Sequence, residues 1–408
     1  MKAVGVIVEY NPFHNGHAFH LRASKEASKA DIVIAAMSGN FLQRGEPALV
    51  SKWYRTRMAL MNGADLVFEL PYGFAVQHAQ NFANGAVSML TAVGCDFLCF
   101  GSESGEIDSF FKTIHFLQTQ QKTYNDNIKR LIDTGVSYPK AASLAFHQLP
   151  SSGQFLDLAK PNNILGFHYI KAILDQNSSI TPLTITRKNA NYHDEHFASE
   201  TIASATSIRK AIFSSEKHDV DVGQYVPPQT KQLLNEYYHQ YGLFHRWENY
   251  WRFLQYRLLQ TTPEQLREIY EVEEGLENRL IAAALEASSF LEFMEKLKTK
   301  RYTWTRLQRV CVHILTNATK TEMTRFSDKA SYLRLLGMST AGKEYLNRQK
   351  KLLGLPLVSK LSAYKQEDIL LDVKATRIYN MAIPFAQTKN LLQQEYSHPP
   401  IYLAEKDR

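Results

Sequence analysis

His14 and His17 are separated only by Asn15 and Gly16, and they follow closely on a short apolar run from Ala3 to Val8. A neutral imidazole donates a hydrogen bond without bringing a full charge. A pair of them at one turn therefore suits a phosphoryl group that gains negative charge as a bond to it breaks. Gly16 leaves the backbone open where the first N–H groups of a helix and its dipole favour an anion. The same spacing has a second reading, in which His14 caps the helix and His17 packs against a sheet. Context favours the first. Ala3 to Val8 reads as a buried central strand, Pro12 stiffens the loop, and Gly16 to Ser28 has the pattern of an amphipathic helix.

The His-x-Gly-His spacing resembles the signature of the adenylyl-transferring superfamily, which includes class I aminoacyl-tRNA synthetases and small-molecule nucleotidylyltransferases. A second phrase belongs with it. Ser204-Ala205-Thr206-Ser207-Ile208-Arg209 opens a helix, and its hydroxyls and Arg209 can turn towards an anion at that N-terminus. Standing alone it would read as a serine-rich cap with a surface arginine. In the nucleotidylyltransferases the corresponding motif reads Ile-Ser-Ser-Thr-x-Ile-Arg, so this chain resembles it with one hydroxyl fewer, at Ala205.

These residues need a scaffold that brings strand ends to one crevice. Strands are expected at Asp31 to Met37, Asp65 to Leu70, Asp96 to Phe100 and Leu183 to Thr186. Helices are expected at Leu49 to Asn62, Val76 to Val93, Ile107 to Gln118, Asn125 to Asp133, Pro139 to Gln148 and Asn162 to Leu174. Strands alternating with helices predict a doubly wound, Rossmann-like parallel sheet with ligands at the carboxyl ends of its strands. Gly101 ends a strand at that edge, either to let a base or ribose approach or simply to form a turn. Asn162 opens a helix after Pro161, as a cap or as a ligand contact. Arg187 and Lys188 add positive charge at the same mouth.

This α/β domain is expected over 1–215, followed by a linker over 216–230 containing two prolines. A mainly α-helical, basic domain is expected over 231–408, with smaller α/β elements near Lys351 to Val373. The formal net charge is +7, and all of the excess lies beyond residue 230. Lys298 to Lys360 alone holds 14 basic and 3 acidic residues, a local field that attracts a polyanion unless it is only a solvated helix face. Within it, Thr299 to Arg309 interleaves Lys300, Arg301, Arg306 and Arg309 with Tyr302 and Trp304. Arginines bind phosphates and aromatics stack on unpaired bases, although packing of both rings is an equal reading.

Hydrophobic residues at 44% and charged residues at 21% are ordinary for a globular chain. No apolar run is long enough to cross a bilayer. The N-terminus reads as a strand rather than a signal peptide, and Cys95, Cys99 and Cys311 read as buried thiols, so a reducing cytoplasm is the expected home. Arg44, Lys52, Arg55 and Arg57 form a lid over phosphates, a first RNA contact, or a solvated basic helix face. Glu46 and Asp65 are too isolated to nominate, and His78 and His147 read as core or surface histidines.

Together, GVIVEYNPFHNGH, SGNFLQRGEPALVSKWYR, CFGSESG, PNNILG and SATSIR, followed by VEEGLENR and TKRYTWTRLQR, closely resemble the bacterial tRNA(Met) cytidine acetate ligase family over almost the whole chain. The resemblance implies that acetate and ATP, rather than acetyl-CoA, form acetyl-adenylate and pyrophosphate, and that the acetyl group passes to N4 of the wobble cytidine of elongator tRNA(Met). It also implies that Arg187 and Lys188 contact ATP. On that chemistry His14 and His17 stabilise charge at the α-phosphate. Arg209, Ser204 and Thr206 hold the departing pyrophosphate, and Mg2+ arrives with ATP, with no protein carboxylate to name for it. The backbone of Ile7, Val8, Glu9, Tyr10, Asn11, Pro12, Phe13, Asn15 and Gly16, with Gly101 and Asn162, seats the nucleotide. Two other functions remain open: an adenylyltransferase acting on a small cofactor precursor, and an RNA-binding protein with a vestigial nucleotide cleft.

Overall fold

In the computed structural model of the chain, the described residues are 1–187, 203–214, 222–273, 275–326, 328–384 and 390–405. Strands and helices alternate from the start: β1 (Ala3–Val8), α1 (Asn15–Ser28), β2 (Ile32–Ser38), α2 (Lys52–Met61), β3 (Leu66–Leu70), α3 (Tyr72–Ala75), α4 (Ala79–Ala92) and β4 (Phe97–Ser102). Then come α5 (Ile107–Thr119), α6 (Gln121–Asp133), α7 (Tyr138–His147), α8 (Pro161–Asp175), β5 (Thr181–Thr186) and α9 (Ala205–Ser214). The strands lie in the order β5-β4-β1-β2-β3, all parallel, with β1 at the centre.

A strand covered on both faces must be apolar on both, which is why β1, β2 and β3 are buried almost throughout. Successive side chains point to opposite faces. Ala3, Ile32, Ile34 and Phe68 therefore pack with Phe82, Leu90 and Ile170 on one side. Val4, Val6, Val33 and Val67 pack with Leu21, Trp53 and Ile208 on the other. The edge strand β5 is only half-buried.

Three local departures from the sequence pattern have physical causes. The helix expected from Leu49 begins at Lys52, because the Leu49 N–H is held by Asn11 Oδ1 and its carbonyl by the His245 N–H. The helix expected over Val76 to Val93 begins only at Ala79, since Val76 leaves helical geometry at ψ 71° where the short preceding helix α3 ends. The expected linker is also partly structural. Val222, Tyr225 and Val226 are buried, the Tyr225 carbonyl accepts from the Asn15 N–H, and α10 (Pro228–Tyr241) starts before residue 231. Residues 215–221 lie outside the described residues.

The second half is helical through α11 (Trp251–Gln260), α12 (Pro263–Arg267), α13 (Leu276–Glu286), α14 (Phe290–Leu297), α15 (Trp304–Thr316) and α16 (Lys320–Thr324). It then returns to the sheet, which the expected separate domain over 231–408 did not foresee. β6 (Leu333–Ser339) pairs antiparallel with β3. β7 (Leu357–Val358) and β8 (Ile401–Leu403) both pair parallel with β6. The edge of β3 would otherwise carry unpaired N–H and C=O groups along a wholly buried strand. α17 (Thr340–Gln349) and α18 (Leu370–Asn380) complete this part.

The cysteines are free and buried, and burial pushes the Cys99 thiol up to about 11. Among the described residues no helix is long and apolar enough to cross a membrane.

Candidate active site

The turn after β1 is built to aim two imidazoles. Tyr10, at φ 52°, and Phe13 bury their rings and flank His17, with ring centroids 4.9 and 5.6 Å from it. His14 Nδ1 accepts the Gly16 N–H at 3.1 Å, and His17 Nδ1 accepts the His14 N–H at 3.2 Å. The two rings stack at 3.7 Å. With each Nδ1 used as an acceptor, the ring proton sits on Nε2 in both. Burial, reinforced by the positive charges of Arg187 and Arg209, lowers the His14 pKa to about 3. Burial and then His14 depress His17 as well, so both are neutral Nε2–H donors near pH 7. Any side chain at position 16 would begin 2.9 Å from the His14 ring, so Gly16 is what lets that ring lie over the helix start.

His14 does cap the helix, whereas His17 packs between Tyr10 and Phe13 rather than against the sheet, and one further expectation is corrected. The first-turn N–H groups of α1 do not stand open to a phosphate. Asn15 donates to the Tyr225 carbonyl at 3.0 Å, Gly16 to His14 Nδ1, and His17 to the His14 carbonyl at 2.8 Å. A buried helix end must satisfy its donors. Here the protein satisfies them itself.

α9 faces the same turn. Ser204 caps it, accepting the Ser207 N–H at 3.0 Å, and Thr206 is half-buried; no described residue accepts from the N–H of Ala205 or Thr206. Arg209 donates through Nη1 to the Asn11 carbonyl at 2.8 Å and through Nη2 to Glu46 at 3.0 Å. Its side chain keeps 18% exposure, so the guanidinium is held but not sealed. Glu46, set aside as isolated in sequence, is thus the carboxylate that orients Arg209.

The other rim is a second knot of contacts. Arg187 donates to Asn162 Oδ1 at 2.9 Å, and Asn162 Nδ2 donates to Glu103 at 2.7 Å. Glu103 also accepts the N–H groups of Asn162 and Asn163 at 3.2 and 2.8 Å, so the start of α8 already holds a carboxylate. The Arg187 stem lies over Gly101, 3.1 Å from where a Cβ would stand. Gly101, Asn162 and Arg187 therefore do come together. Sequence reasoning missed Glu103, whose signal was an acidic residue two positions after a strand-ending glycine. Lys188 lies outside the described residues.

Other candidates are placed differently. Lys52 and Arg55 are wholly buried and form neither a lid nor a solvated face. Arg55 donates to the carbonyls of Glu9, Ser38, Gly39 and Val50 and so ties the second loop to the end of β1. Arg57 pairs with Glu236 at the surface. Asp65 is structural, accepting from the Val33 N–H and the Ser339 hydroxyl.

In the basic segment, Tyr302 is 4% exposed and packs beneath the Arg306 guanidinium. Arg309 is buried in a two-pronged pair with Glu271, at 3.0 and 2.7 Å. Neither Tyr302 nor Arg309 offers a face to a base. Trp304 and Arg306 are half-buried, and only Lys300 and Arg301 of the six are exposed. Periodicity could have warned of this, since Leu307, Val310 and Ile314 share the buried side of α15.

A doubly wound sheet with two neutral imidazole donors and two arginines at the carboxyl end of its central strand defines a nucleotide-phosphate-binding α/β protein of the nucleotidylyltransferase type. A family model described as HIGH Nucleotidyl Transferase matches residues 1–395. The chain is 50% identical over 402 residues to the tRNA(Met) cytidine acetate ligase of Geobacillus sp. (strain WCH70), covering 98% of this chain and 100% of the relative. It is 48% identical over 403 residues to the enzyme of that name from Lysinibacillus sphaericus (strain C3-41), covering 98% and 100%. Two crystal structures of Thermotoga maritima TmcAL, one apo and one bound with alpha-thio ATP, superpose with TM-scores of 0.91 and 0.90 at 33% identity, covering 99% of this chain and 100% of theirs. The chain belongs to the tRNA(Met) cytidine acetate ligase family within the HIGH nucleotidyl transferases.

Proposed function

We propose that this protein is an ATP-dependent ligase that activates acetate as acetyl-adenylate and transfers the acetyl group to N4 of the wobble cytidine of elongator tRNA(Met), giving N4-acetylcytidine. The observation that carries the reading is the stacked, neutral His14–His17 pair, with Arg187 and Arg209 close enough for their charges to depress its basicity. An acetate oxygen attacks the α-phosphorus, and the bond to the bridging oxygen of pyrophosphate breaks. Two anions must be aligned and charge on the phosphate oxygens stabilised, with no protein nucleophile needed.

The Nε2–H groups of His14 and His17 would serve the α-phosphate. Arg209, with Ser204 and Thr206, would hold the departing pyrophosphate. Arg187, Asn162 and Gly101 would close on the nucleoside side. Mg2+ would accompany ATP, held chiefly by phosphate oxygens; among the described residues no three His, Cys, Asp or Glu side chains cluster to hold a metal ion. Lys300 and Arg301 would give the tRNA backbone its first positive contacts.

Labelled acetate is incubated with ATP and with total tRNA or none. Acetate-dependent pyrophosphate release and label in the RNA are expected. Acetate-independent transfer of AMP to a small metabolite would overturn the reading.

A further inference from the structure

We infer that Glu9 accepts the N4 proton of the cytidine during acetyl transfer. The inference rests on the proposed function and adds the base that the second half-reaction needs. In that step the N4 lone pair attacks the acetyl carbonyl carbon, the carbonyl–oxygen bond to AMP breaks, AMP leaves with the bonding pair, and one proton must depart from nitrogen. A carboxylate with a free oxygen can take it.

Among the groups at the mouth, one carboxylate is held by the fold in a way that suits this task. His14 and His17 have their Nδ1 lone pairs committed to the N–H groups of Gly16 and His14, and their Nε2 atoms carry protons. Glu103 spends both oxygens on the start of α8. Glu46 is engaged through Oε2 at 3.0 Å in orienting Arg209. Glu9 sits one residue past the end of β1, where an open α/β sheet receives its ligand. Its Oε1 accepts the Gln43 N–H at 2.7 Å, and its own carbonyl is pinned by Arg55 at 2.7 Å. No described residue donates to Oε2. The residue is only half-buried, and Oε2 is not among the sealed, unpartnered polar atoms. The group is thus clamped by one oxygen and open at the other.

The charged and titratable neighbours fit the task. Arg44 and Glu46 face Glu9 from the second loop, Arg55 from α2 and Tyr169 from α8. Burial outweighs the arginines and raises the carboxyl above its usual range. Bound polyphosphate would raise it further, towards the pH at which a general base works best. A carboxylate beside a polyanion opposes ATP binding, so binding alone does not account for it.

Glu9→Gln keeps an acceptor for the Gln43 N–H, and Glu9→Asp keeps the charge. Three readouts separate the outcomes: acetate-dependent ATP–pyrophosphate exchange, single-turnover acetyl transfer to tRNA, and the pH profile of that transfer. For Glu9→Gln we expect transfer to fall about 100-fold or more beyond any change in exchange, and loss of the rise of transfer rate with pH. Glu9→Asp should recover part of the transfer. Transfer by Glu9→Gln at the wild-type rate, or an equal fall in both half-reactions, would overturn the inference. Absence of acetate-dependent exchange in the wild type would instead overturn the proposed function.

Discussion

Two groups of charged side chains are tied to the central strands, and they are resolved in opposite ways. In the first, Lys52 Nζ lies 2.7 Å from Glu69 and 2.8 Å from Glu395, with Arg334 3.9 Å from Glu395 and every one of these side chains at 4% exposure or less. Asp372, beside them, accepts from the Tyr72 N–H and the Tyr332 hydroxyl. Positive meets negative inside the fold, and the unpartnered atoms that remain on Arg334 and Glu395 are sealed from solvent. In the second, at the β1 mouth, two arginines flank imidazoles that burial keeps uncharged, and Glu9 keeps one open oxygen. Burial with compensation holds elements together; burial with valence left at an opening is arranged for something that arrives.

The largest effect should come from breaking the compensation. Lys52→Met leaves two carboxylates facing each other and should cost about 3–5 kcal/mol of stability in urea unfolding, while acetate-dependent exchange per folded molecule stays near wild type. If exchange fell as far as stability, the two regions would not be separable. Next, His14→Ala should lower exchange 10²- to 10³-fold, about 2.7–4 kcal/mol, because it removes a donor aimed at developing charge. Normal acetyl-adenylate formation by this variant would refute its place at the α-phosphate.

A pH experiment comes third. The folded His14 pKa, about 3, lies below the ordinary 6.5, so the unfolded chain binds the extra proton first. Its stabilising contribution is complete above pH 6.5 and shrinks as pH falls towards 3, by about 2 kcal/mol at pH 5. The loss should appear as a lower urea midpoint at pH 5 than at pH 7.5, and it should be smaller in His14→Asn. Smallest is Ser204→Ala, which removes a helix cap and should cost about 1 kcal/mol.

The sheet was legible where one strand carried its own message. Ala3 to Val8, the turn after it and the SATSIR helix could be read because apolar continuity, a proline and a glycine act over a few residues. β6 was not, since seven residues within a helical and basic half give no local sign that they will pair with β3, some 270 positions earlier. The site divided along the same line. His14, His17 and Arg209 follow from type and spacing, and Gly101, Asn162 and Arg187 do lie together. Glu46, Glu103 and the open side of Glu9 depend on loops that meet only after folding. Arg309 and Tyr302 misled for the converse reason. Charge and aromaticity are visible in sequence, whereas Glu271 closing on Arg309 is not.

The Glu395–Lys52 contact also bears on the order of events at the ribosome. Lys52 is made early and finds Glu69 within 17 residues, but its second carboxylate comes 343 residues later. At roughly 5–20 residues per second, that wait is about twenty seconds to a minute. Until then β3 has no β6 beside it, and the Lys52–Glu69 pair lacks Arg334 and Glu395 around it. The β3 edge of the nucleotide half is therefore completed only by residues made last.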